Sequence, residues 1–131
     1  MRIRKTGQNI FVTFKHKEEH TATGTKEIEF GASDFDKVID FLLEIGLIFF
    51  REQEKKRRKF TLGEVIVDID TWPKVPTYVE LEGPSEEALK EAADNLDLDW
   101  SKAVFGLSAD VIESYGIPVR KLKFFTFDKI E

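Results

Sequence analysis

The sequence contains no cysteine in 131 residues. Disulfides, thiolate metal centres and cysteine nucleophiles are therefore excluded, and the composition suits a reducing compartment. Histidine is almost as scarce, with only His16 and His20. They stand four apart in strand and loop context, which does not put them on one face as a helix would, so no metal site is expected there. No apolar run approaches the roughly 18 residues of a membrane-spanning helix. The opening Met1-Arg2-Ile3-Arg4 also lacks a signal peptide's apolar region. A soluble, cytoplasmic protein without a membrane partner is expected. Glycine-rich phosphate loops of the GxxxxGK[ST] or GxGxxG kind are missing, so side chains would have to hold any nucleotide. A net charge of −5, from 20 cationic and 25 acidic residues, speaks against general nucleic-acid binding.

The chain is rich in what builds a core: 41% of residues are hydrophobic and 12 are Phe, which argues against disorder. With no repeat, low-complexity tract or interdomain linker, residues 1–131 read as a single domain, with 117–131 a C-terminal tail or an extra strand. Charged residues reach 34%, above the usual quarter or so, and are unevenly spread. Residues 51–60 carry six cations and two carboxylates, a local +4, whereas 84–100 carry Lys90 against six carboxylates, a local −5.

Hydrophobic periodicity places the elements. Ile10, Val12 and Phe14 alternate with Thr13, Lys15 and Lys17, and Gly7-Gln8-Asn9 marks a turn from a preceding strand. Residues 25–30 alternate again. Phe35, Val38, Ile39, Leu42 and Leu43 then recur at helical spacing, with Ser33 as cap and Gly46 at the end. A long strand is expected over 48–60, another over 64–70 after Gly63, a rigid Trp72-Pro73 to Pro76 loop, and a strand over 78–82. Ser85 caps a second helix striped by Leu89, Ala92, Ala93 and Leu96, and a third helix spans 108–115. The architecture expected is α+β: a mostly antiparallel sheet with segregated helices.

If each strand keeps its parity, Ile10, Val12, Phe14, Ile28, Phe30, Val65, Val67, Ile69, Val79 and Leu81 share an apolar face. The opposite face takes the cations Arg2, Arg4, Lys15, Lys55 and Arg57 and the carboxylates Glu27, Glu29, Asp68, Asp70, Glu80 and Glu82. A solvated face laced with cross-strand ion pairs is one reading. The other is a lined channel, in which buried charges must be paired or liganded. A polyphosphate suits such a mixture, since guanidinium and ammonium groups meet its oxygens while Mg²⁺ or Mn²⁺ bridges it to carboxylates. Carboxylates two residues apart on a strand point the same way, so Glu27/Glu29, Asp68/Asp70 and Glu80/Glu82 could each flank a hard cation.

At these residues the chain resembles a known family. Arg2-Ile3-Arg4, Thr13-Phe14-Lys15, Lys26-Glu27-Ile28-Glu29, Lys55-Lys56-Arg57, Asp70 and Tyr78-Val79-Glu80-Leu81-Glu82 follow the order and approximate spacing of the CYTH domain. That superfamily comprises class IV adenylate cyclases and thiamine triphosphatases, the triphosphate tunnel metalloenzymes. The stretch from Ile69 to Ser85 is most similar to bacterial members described as class IV adenylate cyclases. The resemblance implies an antiparallel β tunnel with helices packed outside. It implies a triphosphate clamp of Arg2, Arg4, Lys15, Lys55 and Arg57, and metal-side carboxylates among Glu27, Glu29, Asp70, Glu80 and Glu82. Asp68 is a candidate from parity alone. Family domains open with a strand carrying Glu-x-Glu-x-Lys, and none occurs near the start here, so the tunnel is expected to be incomplete at the N-terminus, with exposed sheet edges through which a homodimer could form.

The resemblance implies a metal-dependent enzyme using Mg²⁺ or Mn²⁺ on a triphosphate such as ATP, thiamine triphosphate or tripolyphosphate. It would cyclise ATP with loss of pyrophosphate or hydrolyse a triphosphate. The alternatives are a non-catalytic polyphosphate- or nucleotide-binding module, and a fragment completed by a partner chain. The Trp72 side chain reads as a loop anchor, and the Phe49-Phe50 and Phe124-Phe125 pairs as core or interface.

Overall fold

Period-two alternation at the start of the chain folds as a three-stranded antiparallel meander: β1 (Arg2–Thr6), β2 (Asn9–Lys17) and β3 (Thr25–Ala32). The computed structural model describes residues 1–17 and 25–131, so the expectation for the His16/His20 pair lies partly outside the described residues. Gly7, at φ +59°, takes the left-handed conformation that the tight β1–β2 turn requires. The register sets Arg2 opposite Thr13 and Thr13 opposite Glu29, with Lys15 opposite Glu27. Directly opposed residues share a face. Arg2, Arg4, Thr13, Lys15, Glu27 and Glu29 therefore line one side, and Ile3, Ile10, Val12, Phe14, Ile28 and Phe30 the other, as the alternation predicts.

Helix α1 (Phe35–Glu44) follows. Its cap is Asp34, not Ser33: the Asp34 carboxylate accepts from the Lys37 backbone N–H at 3.0 Å, the reach from Ncap to N3 that a residue one position earlier does not have. Val38, Ile39 and Leu42 are half-buried, whereas Leu43 turns outward. These elements make up one compact unit, Met1–Phe49; a second runs from Phe50 to Glu131.

The second unit corrects the expected strand over 48–60. Two separate strands occupy it, β4 (Glu52–Gln53) and β5 (Lys56–Leu62). They belong to different ladders, which breaks the run: β4 pairs in parallel with the short β8 (Phe124–Phe125), and β5 joins β6 (Val65–Thr71) and β7 (Tyr78–Glu82) in an antiparallel sheet of order β5-β6-β7. Helix α2 (Glu86–Asn95) is capped by Ser85, whose hydroxyl accepts from the Ala88 N–H at 3.2 Å. It covers the sheet's apolar face by packing Ala88, Leu89 and Ala92 with Val65, Val67 and Leu81.

A second core forms around Trp72, Val75, Ile112, Val119 and Phe125. Ile112 comes from α3 (Ser108–Ser114), Val119 from a 3₁₀ turn over Val119–Lys121, and Phe125 from β8. Residues 117–131 are therefore core-forming, a distinction the sequence left open. Phe125 is 0% exposed and stacks on Trp72 with ring centroids 5.9 Å apart. The fold is α+β with two antiparallel sheets and three α-helices among the described residues, and no ladder there closes into a barrel. Phe125→Ala should remove about 3 kcal/mol of stability, read as a lower urea midpoint. A dispensable tail would leave the midpoint unchanged.

Candidate functional site

Strand parity puts Lys55, Arg57 and Lys59 on one side of the chain entering and forming β5, facing Asp70, Asp68 and Glu80 across the sheet. Arg57 is opposite Asp70 in register, and Asp68 lies between Lys59 and Glu80. The Asp70 side chain is wholly buried and accepts hydrogen bonds from Arg57 Nε and Nη2, both at 2.6 Å, in a bidentate fork. Lys55 Nζ donates to the same carboxylate at 3.2 Å. Arg57 Nη1 lies 2.9 Å from Asp68 Oδ2, and Nη2 donates to Glu80 Oε2 at 3.1 Å. One guanidinium thus holds three carboxylates.

Two opposing effects set the Asp70 charge. Burial favours the protonated acid, but the Arg57 hydrogen bond and the Lys55 charge outweigh it and hold the carboxyl below its ordinary 3.8. Arg57 is raised in turn, mainly by its hydrogen bond to Asp70, against the desolvation that would lower it. The pair is therefore ionised on both sides at neutral pH. A further link stiffens Lys55: its ammonium sits 5.2 Å from the centre of the Trp72 ring, and Trp72 Nε1 donates to Tyr78 Oη at 3.0 Å. Trp72, buried against Phe125, anchors the loop into the core.

The first unit carries the other predicted residues. Lys15 pairs with Glu27 at 3.4 Å on the exposed sheet face, and the buried Thr13 hydroxyl donates to Glu29 Oε2 at 2.7 Å. Arg2 and Lys15, with Thr13 and Met1, line an open hollow of about 180 Å³. Arg4 lies over the Phe11 ring at 5.1 Å. A larger open groove, about 780 Å³, separates Ile10, Val12 and Phe30 from Val38, Phe41 and Leu42 of α1. Its lining is mostly apolar, which does not suit a polyanion.

The predicted residues thus fall into two sets. Arg2, Arg4, Lys15, Glu27 and Glu29 share the first unit's face. Lys55, Arg57, Asp70 and Glu80 are joined by direct contacts in the second, and Glu82 follows on the same face of β7 without an ion pair among the described residues. Lys59 is an addition, and Asp68 moves from a parity candidate into the contact network. Lys59 was legible in the strand's period, two residues beyond Arg57. Nothing in the sequence shows that Arg57 is already engaged.

A hard divalent cation takes oxygen donors, and the carboxylates here supply only those. Asp68 Oδ1 is buried with no hydrogen-bond partner, and Lys59 Nζ lies 3.8 Å from it. Such an orphaned oxygen is what an ion or water would satisfy. Among the described residues no group of three or more acidic or histidine side chains is already gathered for a metal. Oxygen donors of this kind are the chemistry that a hard divalent cation takes.

The CYTH domain profile matches residues 1–113 and so spans both units. Two solved structures resemble the chain. A conserved hypothetical protein from Pyrococcus furiosus is 22% identical, with a TM-score of 0.59, covering 83% of this chain and 72% of that one. The PH1012 protein from Pyrococcus horikoshii OT3 is 16% identical, with a TM-score of 0.56, covering 80% and 68%. At those identities the likeness bears on the fold. No curated protein matches the chain.

Replacing Asp70 by Asn leaves Arg57 and Lys55 without their shared countercharge. The loss near neutral pH should be about 2–3 kcal/mol, below the range for fully buried pairs because Arg57 is 28% exposed. Because the folded-state pKa of Asp70 is depressed, its stabilisation is present above 3.8 and disappears as pH falls through the folded value. Urea unfolding of the two proteins should therefore differ at neutral pH and converge on acidification below 3.8.

Proposed function

The chain belongs to the CYTH family, and from that premise we propose that it is a divalent-metal-dependent enzyme acting on a triphosphate. The observation that carries this reading is the contact set of Lys55 and Arg57 with Asp70, Asp68 and Glu80 on one sheet face. Such a set offers charge-assisted donors to phosphate oxygens and hard oxygen ligands to Mg²⁺ or Mn²⁺ within a few ångströms. Arg2, Arg4 and Lys15 of the first unit, and Lys55 and Arg57 of the second, are the phosphate-binding candidates of this reading. Glu80 and Glu82 of the second unit and Glu27 and Glu29 of the first are its metal-side candidates, whereas both oxygens of Asp70 are taken up by Arg57 and Lys55. The tunnel expected from the family resemblance, and pairing of two copies through sheet edges, belong to the same proposal.

The reaction is cleavage of a phosphoanhydride, with water or a ribose hydroxyl as acceptor: hydrolysis of a triphosphate, or cyclisation of ATP with loss of pyrophosphate. In either case the transferring phosphoryl group carries spread negative charge, and fixed cations stabilise it most where water is thinned out. The metal, when bound, neutralises charge on the phosphate oxygens. Asp70 serves by fixing Arg57 and Lys55 in place, since a guanidinium held by a buried bidentate partner has little orientational freedom left to lose.

The test is release of phosphate or pyrophosphate from ATP, thiamine triphosphate and tripolyphosphate with Mg²⁺ or Mn²⁺. Arg2→Ala and Glu80→Ala alter solvent-accessible side chains and should leave the fold intact while lowering turnover about a hundredfold. Tight binding without turnover on any of the three would replace the enzyme with a polyphosphate-binding module. No binding at all would end both readings.

A further inference from the structure

The Arg57 guanidinium, the strongest anion-binding group in the second unit's site, is already occupied by the protein's own carboxylates. Its contacts are not equal. Both hydrogen bonds to Asp70 are 2.6 Å long, and the approach to Asp68 is 2.9 Å. The hydrogen bond to Glu80 is the longest of the four, at 3.1 Å. The carboxylates also differ in exposure: the Asp70 and Asp68 side chains are 0% and 5% exposed, and Glu80 is 42% exposed. Moving either aspartate would strand a buried charge, at a cost of several kcal/mol. Glu80 can swing into water without that penalty. It is the one exchangeable partner, and it shares the Nη2 group with Asp70.

Charge counting points the same way. Lys55, Arg57 and Lys59 face Asp68, Asp70 and Glu80, three against three, and Glu82 on the same face of β7 leaves the patch with no excess of positive charge. A metal-free polyanion approaching it finds no net attraction, and at Arg57 Nη2 it meets a carboxylate of its own sign already in place. Once a divalent cation holds Glu80, the metal meets that carboxylate's charge and an Nη2 hydrogen is released.

We infer that Glu80 is an internal competitor for the phosphate position on Arg57, so that the site accepts the divalent-metal chelate of a polyphosphate and rejects the free polyanion. This rests on the triphosphate reading above, and it adds a second role to a residue otherwise only a metal ligand. Metal and polyphosphate are then coupled through Glu80, each raising affinity for the other by the same factor.

Calorimetry of tripolyphosphate binding, with EDTA and then with Mg²⁺, tests the inference on the full chain. The wild type should bind more tightly with Mg²⁺. In EDTA, Glu80→Gln should bind tripolyphosphate about fivefold more tightly than wild type, the size expected for losing one partly exposed competing ion pair. Glu64→Gln removes the same charge from an exposed position at the β5–β6 turn, at the far end of the hairpin from Arg57, and should stay close to wild type. Glu80→Asp keeps the charge but, one methylene shorter, withdraws from Arg57, so it should gain affinity in EDTA as well. Thermal unfolding of each variant checks the fold. Equal affinities for Glu80→Gln and Glu64→Gln, or no gain in Glu80→Asp, would overturn the inference and leave the triphosphate reading standing. Wild-type binding of equal strength with and without Mg²⁺ would do the same. No wild-type binding under either condition would remove both.

Discussion

The pairing of Asp70 with Arg57 is the interaction on which the second unit's charged face depends. A carboxylate with no solvent exposure survives as an anion only because a bidentate guanidinium and an ammonium reach it. That pairing holds two cations at a set spacing, Lys55 just before β5 and Arg57 within it. The same β6 strand sends Val65 and Val67 the other way, into the core covered by α2. Both sides of one strand are thus buried, one by apolar packing and one by ion pairing, and a one-residue slip in register would exchange the two. The hydrophobic core therefore also acts to hold the register of the charged face.

The loop after β6 extends this coupling. Trp72 is packed on Phe125, which reaches it from the end of the chain, and its indole N–H is tied to Tyr78 at the start of β7. Its ring also faces the Lys55 ammonium. Residues 117–131 consequently bear on the charged site through one aromatic contact. Near the same core, Arg120 ties the 3₁₀ turn to α3 through Asp110 and Glu113, an exposed arrangement of modest energetic weight.

The engagement of Arg57 by three carboxylates shows how a basic cluster is accommodated in an acidic protein. A local +4 over residues 51–60 is offset by carboxylates supplied from β6 and β7, so long-range attraction is small.

Period-two alternation is a backbone property, and it alone determined which residues share a face: Arg2, Lys15 and Glu29 on one side of the first sheet, Asp68, Asp70 and Glu80 on one side of the second. Helical spacing and capping chemistry likewise placed α1, α2 and α3 to within a residue or two, with Asp34 replacing Ser33 as the cap by side-chain reach. The family was legible as well, because its charged residues sit at fixed strand parities. The break at 54–55 was not, since it arises from β4 pairing with a strand some seventy residues away. Nor was the identity of Arg57's partners. Parity assigns a side chain to a face, but only the tertiary register and the depth of burial choose which carboxylate grips it at 2.6 Å and which stays exchangeable at the surface.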